Sequence, residues 1–233
     1  MHEYDPATVI DFPVHRRGSL ADTLSGFPER PDAPAWSGER RERQVTMLMA
    51  ELRGWQGVAD RIGALAADAV LDASVAAQVQ AARNHGGTEL VVGGEPRQPV
   101  LSAVFTGSGH AERALAAAVA LRDAVDAVHS PHELAMRTSV GIDTGTVVDT
   151  VLSGNVPVAY RAVGTVRMFA VRLQEFAGPG QIFASSHTLA EVEAGFGTFR
   201  SIGEVRTNPG GETAEAFCLI EPRDPSTNAV SGR

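Results

Sequence analysis

Residues 44–57 have the sequence QVTMLMAELRGWQG, an apolar run that closes on a carboxylate and a polar turn. The run from Val45 to Glu51 is typical of a strand buried on both faces. A carboxylate at the end of such a strand, with Gly54 easing the backbone beyond it, is a common geometry for holding a metal ion near phosphates. A solvated glutamate at an ordinary strand end explains the same pattern. This stretch alone leaves both interpretations open.

Size and composition allow one globular domain of about 180 residues with tails, or two small domains. The chain has 233 residues, 43% of them hydrophobic and 21% charged, with a net charge of -8. This acidic balance argues against non-specific binding to nucleic acid or to an anionic membrane surface. A single cysteine, Cys218, excludes an intrachain disulfide and a cysteine-based zinc site. The absence of a long apolar run and of a signal-like N-terminus leads us to expect a cytoplasmic location.

Periodicity along the chain predicts an α+β fold. Helical spacing of apolar residues covers 58–84, 111–128 and 165–176, with a short helical patch at 191–196. Strand patterns cover 45–51, 88–92, 100–105, 138–142, 147–152, 181–185, 199–205 and 214–220. We expect 93–99 to form a long hairpin tip and 143–146 to form a turn. The order predicts a mixed sheet with helices packed on one face.

Six phrases of the sequence, in this order, resemble the class III nucleotide cyclase homology domain. They are VTMLMAELRGW (45–55), RNHGGTELVVGGE (83–95), HAERALAAAVALRDAV (110–125), RTSVGIDTGTVV (137–148), VPVAYRAVGTVRMFAVRLQEFAGPGQIFAS (156–185) and IGEVRTNPGGETAEAFCL (202–219). The resemblance divides the chain into an N-terminal arm at 1–43, flexible or docked on a partner, a cyclase homology domain at 44–221, and a tail at 222–233.

The resemblance implies a ferredoxin-like palm core with a mixed, mostly antiparallel sheet, in a head-to-tail homodimer with active sites at the subunit interface. In active members, two aspartates hold two divalent metal ions that activate the ribose 3′-hydroxyl for attack on the α-phosphate of ATP or GTP. A lysine and an aspartate contact the base. An asparagine and an arginine from the partner subunit position the ribose and stabilise the transition state.

The two metal positions of the family fall on Glu51 and Glu95 in this sequence. Both residues keep a carboxylate but reach one methylene further than aspartate, and Mg²⁺ demands a near-ideal octahedron of oxygens. The hairpin that carries Glu95 is also longer than in the family and contains Pro96 and Pro99, which cannot donate ladder hydrogen bonds. We therefore expect a weak or displaced metal site.

The positions that contact the nucleotide differ from the family more strongly than the two metal positions do. The base-reading lysine and aspartate fall on Val91 and Ala159, and the ribose-orienting asparagine falls on Met168. The transition-state arginine alone is retained, as Arg172. Apolar side chains facing a base leave its donors and acceptors unpaired, and each lost transition-state contact typically costs about 10²–10³ in rate. The resemblance therefore implies a degenerate cyclase domain that does not cyclise ATP or GTP efficiently.

Gly54 and Trp55 stand where the family has a glycine and a phenylalanine beside the nucleotide. Packing is the ordinary role of such an aromatic residue, and stacking on a ligand is the alternative. The apolar positions Val91, Ala159 and Met168 would make the interface cleft suitable for an apolar small ligand rather than a purine. We expect no resident cofactor, with Mg²⁺ or Mn²⁺ needed only for residual cyclase activity.

Three other functions are weighed against this interpretation. The first is a divergent, low-activity adenylate or guanylate cyclase. The second is a diguanylate cyclase, because Gly93-Gly94-Glu95 is similar to the hairpin of that family, although Pro96-Arg97 follows it here. The third is a DNA-associated regulator acting through the arginines of 40–43, which the acidic total charge disfavours. We favour a regulatory, ligand-sensing or protein-interacting domain of intracellular signalling, acting as a homodimer with a protein partner or an apolar ligand.

Overall fold

A computed structural model describes residues 39–55, 57–95, 98–151, 165–206 and 211–222. It contains seven strands and five α-helices within those ranges. The strands are β1 (Glu39–Arg53), β2 (Thr88–Glu95), β3 (Gln98–Thr106), β4 (Arg137–Val151), β5 (Ile182–Ser185), β6 (Gly197–Arg206) and β7 (Thr213–Pro222). The helices are α1 (Val58–Ile62), α2 (Ala64–Asn84), α3 (His110–His129), α4 (Thr165–Phe176) and α5 (Ser186–Ala190). Among the residues so described, no helix is both long and apolar enough to cross a bilayer.

The strands form one sheet in the order β2-β3-β1-β4-β5-β7-β6. All neighbouring strands are antiparallel except β4 and β5, which run parallel. The prediction of an α+β fold with a mixed, mostly antiparallel sheet is therefore confirmed. The apolar run at 45–51 lies in β1, at the centre of the sheet, and this explains why its residues are apolar on both faces.

Alternate residues of β1 pack on different helices, because successive side chains of a strand point to opposite faces. Leu48 and Ala50 belong to the main core beneath α2 and α3. Met47 and Met49 pack instead against Val166 and other residues of α4. The arrangement thus differs in one respect from the expected single helical layer: α4 covers the opposite face of the sheet.

Gly141 allows α4 to approach the sheet closely. A Cβ atom added to Gly141 would lie 2.2 Å from the carbonyl oxygen of Ala170 and 2.2 Å from the amide nitrogen of Gln174. No side chain fits in this space, so glycine at this point of β4 sets how closely helix and strand pack. The same contact brings Gln174 over the end of β1.

Strand β4 is continuous, so the expected turn at 143–146 is wrong. Residues 137–151 pair with β1 along their whole length, including Asp143 opposite Met47 and Gly145 opposite Val45. The long partner strand overrides the local Thr-Gly-Thr turn preference. Beyond the reach of β3 and β5, residues 39–44 and 146–151 pair with each other as a two-stranded ribbon.

Three other boundaries differ from the sequence prediction. The helical segment predicted at 58–84 is broken at Gly63, where φ is 84°. The hairpin between β2 and β3 keeps its ladder as far as the pair of Glu95 with Gln98, so its tip is short. Helix α5 begins directly after Ser185 instead of at residue 191, because the Ser185 hydroxyl accepts the amide of Thr188 as an N-cap.

Candidate functional site

The carboxylate of Glu51 is engaged by other side chains of its own chain. Its Oε2 accepts a hydrogen bond of 2.5 Å from the side-chain Nε2 of Gln174 and lies 3.2 Å from the Arg53 guanidinium. Only 18% of the Glu51 side chain is exposed. A strand end therefore places this carboxylate as the sequence predicts, but a cation and an amide already occupy one of its oxygens.

Arg53 is held in this position by helix α4. Its guanidinium donates to the carbonyl oxygens of Gln174 and Glu175, both at 3.1 Å, in the last turn of the helix. A cation at this end of a helix satisfies free carbonyl groups and complements the helix dipole. Arg53 thus joins the end of β1 to the end of α4, and its charge beside Glu51 follows from that structural role.

The second expected metal position lies further along the sheet. Across the sheet, Glu51 is paired with Val100 of β3, and Val100 is paired with Gly93 of β2. The backbone of Glu95 is thus two strands across and two residues along from Glu51, about 12 Å away with ordinary strand spacings. The side chain of Glu95 lies outside what the structure describes.

The residues described do not form a set of metal ligands around Glu51. No group of three or more histidine, cysteine or acidic side chains among them is placed to hold a metal ion. A divalent cation at Glu51 would also lie beside the guanidinium of Arg53, and like charges at this distance repel. The described side chains around Glu51 therefore do not by themselves supply a site for a divalent metal ion.

The expected nucleotide-contacting residues lie around the same face of the sheet. Val91 is 60% exposed, and by strand register it shares the face of Glu51. Met168 projects from α4 and is 45% exposed. Arg172, one turn further along α4, lies 2.9 Å from the carboxylate of Glu175. Ala159 falls outside the described residues.

Gly54 and Trp55 form the turn that leaves β1. Gly54 has a φ of 90°, and a Cβ there would lie 3.0 Å from the carbonyl oxygen of Ala135, so glycine is required for conformation and for space. Trp55 is partly buried against the cluster that contains Leu52 and Val58. Packing explains both residues without a ligand, and their nucleotide role stays a prediction.

A second polar cluster, which the sequence analysis did not identify, lies further along β4. The Asp143 side chain is only 2% exposed, and its Oδ1 accepts hydrogen bonds from the Ser185 hydroxyl at 2.5 Å and from His187 Nδ1 at 3.1 Å. Burial raises the pKa of the Asp143 carboxyl, although both hydrogen bonds oppose this shift. The sequence signal for this cluster is an aspartate that directly follows SVGI (139–142), at a position where the sequence predicts a turn.

A chain of hydroxyl groups runs beneath this cluster. The Thr188 hydroxyl donates to the Ile142 carbonyl, so Thr144 must donate to Thr188, and Thr46 must donate to Thr144. The bond of 2.6 Å between Thr46 and His110 is then donated by His110 Nδ1. Burial lowers the pKa of His110, which favours the neutral ring that this order of donors allows.

The fold is that of nucleotide cyclase domains. The adenylyl cyclase CyaB from P. aeruginosa superposes with a TM-score of 0.67 at 17% identity, covering 79% of this chain and 97% of that one. The guanylyl cyclase Cya2 gives 0.61 at 22% identity, covering 81% and 96%. The guanylate cyclase domain of RhGC from Catenaria anguillulae, in complex with GTP, gives 0.62 at 16% identity, covering 78% and 100%. No model of a known protein family and no curated protein sequence matches the chain.

Proposed function

We propose that this chain, which has the fold of nucleotide cyclase domains, is a regulatory domain that does not cyclise ATP or GTP efficiently. The observation that carries the proposal is the carboxylate of Glu51, whose Oε2 accepts a hydrogen bond from Gln174 Nε2 and lies 3.2 Å from the Arg53 guanidinium. Metal-dependent cyclisation needs this group to face a divalent cation, which would compete with the Arg53 ion pair and with the part-buried hydrogen bond from Gln174. The geometry thus favours a structural role for Glu51.

The exposed apolar residues around this face support a binding role. Val91 and Met168 present aliphatic side chains where the family resemblance expects polar contacts to the base and ribose. Covering apolar surface of this kind with a ligand or a partner removes it from water and lowers the free energy. We therefore propose that an apolar small ligand or a protein partner binds there, in a head-to-tail homodimer that brings α4 of one copy to the β2 face of the other.

A low-activity cyclase is the second candidate. Glu51 lies at the end of β1 and keeps a partly exposed carboxylate, and Arg172 is retained on α4. Residual activity would require Arg53 and Gln174 to leave Glu51 when metal and nucleotide bind. In this case catalysis would depend on Glu51 alone among the described carboxylates of this face.

A cyclase assay separates the two candidates. Purified protein is incubated with ATP or GTP and with Mg²⁺ or Mn²⁺, beside the Glu51→Ala variant and a protein-free blank. We expect cyclic nucleotide formation by the native chain to equal that of the variant. Product from the native chain that disappears in Glu51→Ala would overturn the regulatory proposal and support the low-activity enzyme.

Binding at the apolar face is tested separately. A fluorescent apolar probe is titrated into the native chain and into the Val91→Thr and Met168→Gln variants, which replace exposed residues and should fold normally. We expect saturable binding that both substitutions weaken several-fold. Non-saturable fluorescence, or identical curves for all three proteins, would argue against a ligand site on this face.

A further inference from the structure

His129, the last residue of α3, is fully buried where α2, α3 and the start of β4 meet. Its Nδ1 lies 3.0 Å from the carbonyl oxygen of Met136, just before β4, and its Nε2 lies 2.7 Å from the hydroxyl of Ser74 in α2. The same hydroxyl lies 2.6 Å from the carbonyl oxygen of Val70, one turn earlier in α2. The ring therefore joins three elements through a row of three short polar contacts.

The number of hydrogens in this row depends on the charge of the ring. A carbonyl oxygen can only accept, so Nδ1 donates to Met136 in both states. When the ring is neutral, the single hydrogen of the Ser74 hydroxyl is donated either to Nε2 or to the Val70 carbonyl, and the other contact lacks a hydrogen. When the ring is protonated, Nε2 donates to Ser74, Ser74 donates to Val70, and every contact is a hydrogen bond. The heavy atoms are thus already placed for a second proton on the ring.

Burial opposes the uptake of this proton, and the neighbouring charges act in both directions. Burial has the largest effect and lowers the pKa of His129. The carbonyl bound to Nδ1 and the Asp126 carboxylate of α3 oppose this shift, while Arg137 of β4 and the nearby His132 add to it. Helix α2 meets the ring through the uncharged Ser74. The balance favours a neutral ring at neutral pH and leaves proton uptake for mildly acidic conditions.

The carbonyl that the ring holds belongs to a segment that packs against the turn after β1. A Cβ atom added to Gly54 would lie 3.0 Å from the carbonyl oxygen of Ala135 and 3.4 Å from the Cα atom of Met136. The side chain of Trp55 packs against the apolar cluster to which Met136 belongs. A change in the charge of His129 can therefore be transmitted to this turn through directly packed atoms.

We propose that His129 is a pH-sensitive latch that controls the packing of the Gly54–Trp55 turn. At neutral pH the neutral ring joins α2 to the start of β4 and keeps the turn packed. In mild acid the charged ring loosens the apolar cluster around Trp55, because a charge in an apolar cluster favours the access of water.

The chain stays folded during this change. The protonated ring keeps its contact with Ser74 as a hydrogen bond, and local opening needs less free energy than global unfolding. The turn leaves β1 three residues beyond Glu51, so the latch places the candidate face under the control of pH. The inference does not rest on the proposed regulatory function, since the packing of Trp55 is measured without a ligand.

The fluorescence of Trp55 measures the state of the turn. The second tryptophan of the chain is removed by Trp36→Phe, and emission is recorded from pH 8 to pH 5 beside far-ultraviolet circular dichroism. We expect one reversible step below about pH 6.5, with unchanged secondary structure. The step should disappear in His129→Gln and persist in His132→Gln, which changes a neighbouring exposed histidine. A step that persists in His129→Gln would overturn the proposal.

A second variant decides the question even where His129→Gln does not fold. Ser74→Ala removes a partner that binds the charged ring more strongly than the neutral ring, so we expect the fluorescence step to move about one unit to lower pH. NMR of the ring nitrogens follows the protonation of His129 in the native and Ser74→Ala chains. A ring that stays neutral until the chain unfolds, or a step with the same midpoint in both chains, would refute the latch.

Discussion

Glu51 and Asp143 are two acidic residues on one face of the sheet, and their partners give them different roles. Glu51 forms an ion pair with Arg53, which also connects β1 to α4, so the charge of Glu51 has a structural role. Asp143 has only neutral or titratable partners and lies at the wall of a cleft. Residue type alone could not distinguish these roles, because the distinction depends on Arg53, Ser185 and His187.

The structural role of Glu51 predicts a loss of stability when its carboxylate is removed. Glu51→Ala leaves the buried Gln174 amide without its acceptor, and we expect the free energy of unfolding to fall by about 1–2 kcal/mol. Glu175→Ala, which removes an exposed partner of Arg172, should cost less than about 0.5 kcal/mol. Urea unfolding of both variants measures the difference. If the metal-free Glu51→Ala variant were more stable than the metal-free native chain, the Glu51 carboxylate would instead be strained for metal binding.

The fully buried His129 predicts a loss of stability in mild acid. Its Nδ1 donates to the Met136 carbonyl and its Nε2 contacts the Ser74 hydroxyl at 2.7 Å. Burial lowers the pKa of His129, as it does for His110. A depressed pKa means that the unfolded chain takes up the proton first, so stability present above about pH 6.5 is lost as the pH falls through the folded-state pKa.

The measurement is the free energy of unfolding between pH 8 and pH 5, with His129→Gln as the comparison. Each histidine contributes a slope of at most about 1.4 kcal/mol per pH unit. The raised pKa of Asp143 acts in the opposite direction, since protonation of the folded state stabilises it as the pH falls, but both proteins share this effect. We expect a shallower slope in His129→Gln. Parallel curves would contradict the assignment to His129.

At the scale of elements, packing against β1 explains both the successful and the failed predictions. The apolar run at 45–51 gave the central strand, since burial on both faces imposes a pattern visible in the sequence. The Thr-Gly-Thr sequence at 144–146 favours a turn, whereas pairing with the long strand β1 keeps residues 143–146 extended. The sequence does not predict α4 on the other face, because this placement depends on the close approach that Gly141 allows, and no local sequence pattern indicates such an approach.

Gly141 predicts the largest single-residue effect on element packing. In Gly141→Ala the new methyl group would overlap the backbone of Ala170 and Gln174, so α4 must move away from the sheet. We expect a cost of about 1–3 kcal/mol in the free energy of unfolding, as for other overpacked sites. Thermal and urea unfolding measure it. Gly93→Ala, at a strand glycine with open space around its Cβ position, is the matched control, and an equal effect of the two substitutions would disprove the close-packing argument.

At the scale of the whole molecule, the fold and its resemblance to cyclase domains could be predicted, while the state of the site could not. The order of the six sequence phrases predicts the order of the strands and helices, and the solved cyclase domains share this architecture. Whether Glu51 is open to a metal depends on Arg53 and Gln174, which come from different elements. Such pairings arise only once α4 has packed on the sheet.

The ribbon formed by 39–44 and 146–151 has a consequence for backbone opening. At about 3.3 Å per residue, it extends about 20 Å beyond the strands that flank β1 and β4 in the body of the sheet. Among the described residues, only two strands hold the hydrogen bonds at its tip, so these bonds should open by local fraying, whereas those at Met47 should open only with global unfolding.

Amide hydrogen exchange along β1 would therefore be graded rather than uniform. We expect deuterium uptake to be fastest near Glu39 and to slow steadily toward Val45, where β3 joins the ladder. The measurement needs only a peptide-resolved exchange series on the native chain. Uniformly slow exchange from Glu39 onward would mean that something else covers the ribbon in solution, and its dependence on protein concentration would show whether the cover is a second copy of the chain.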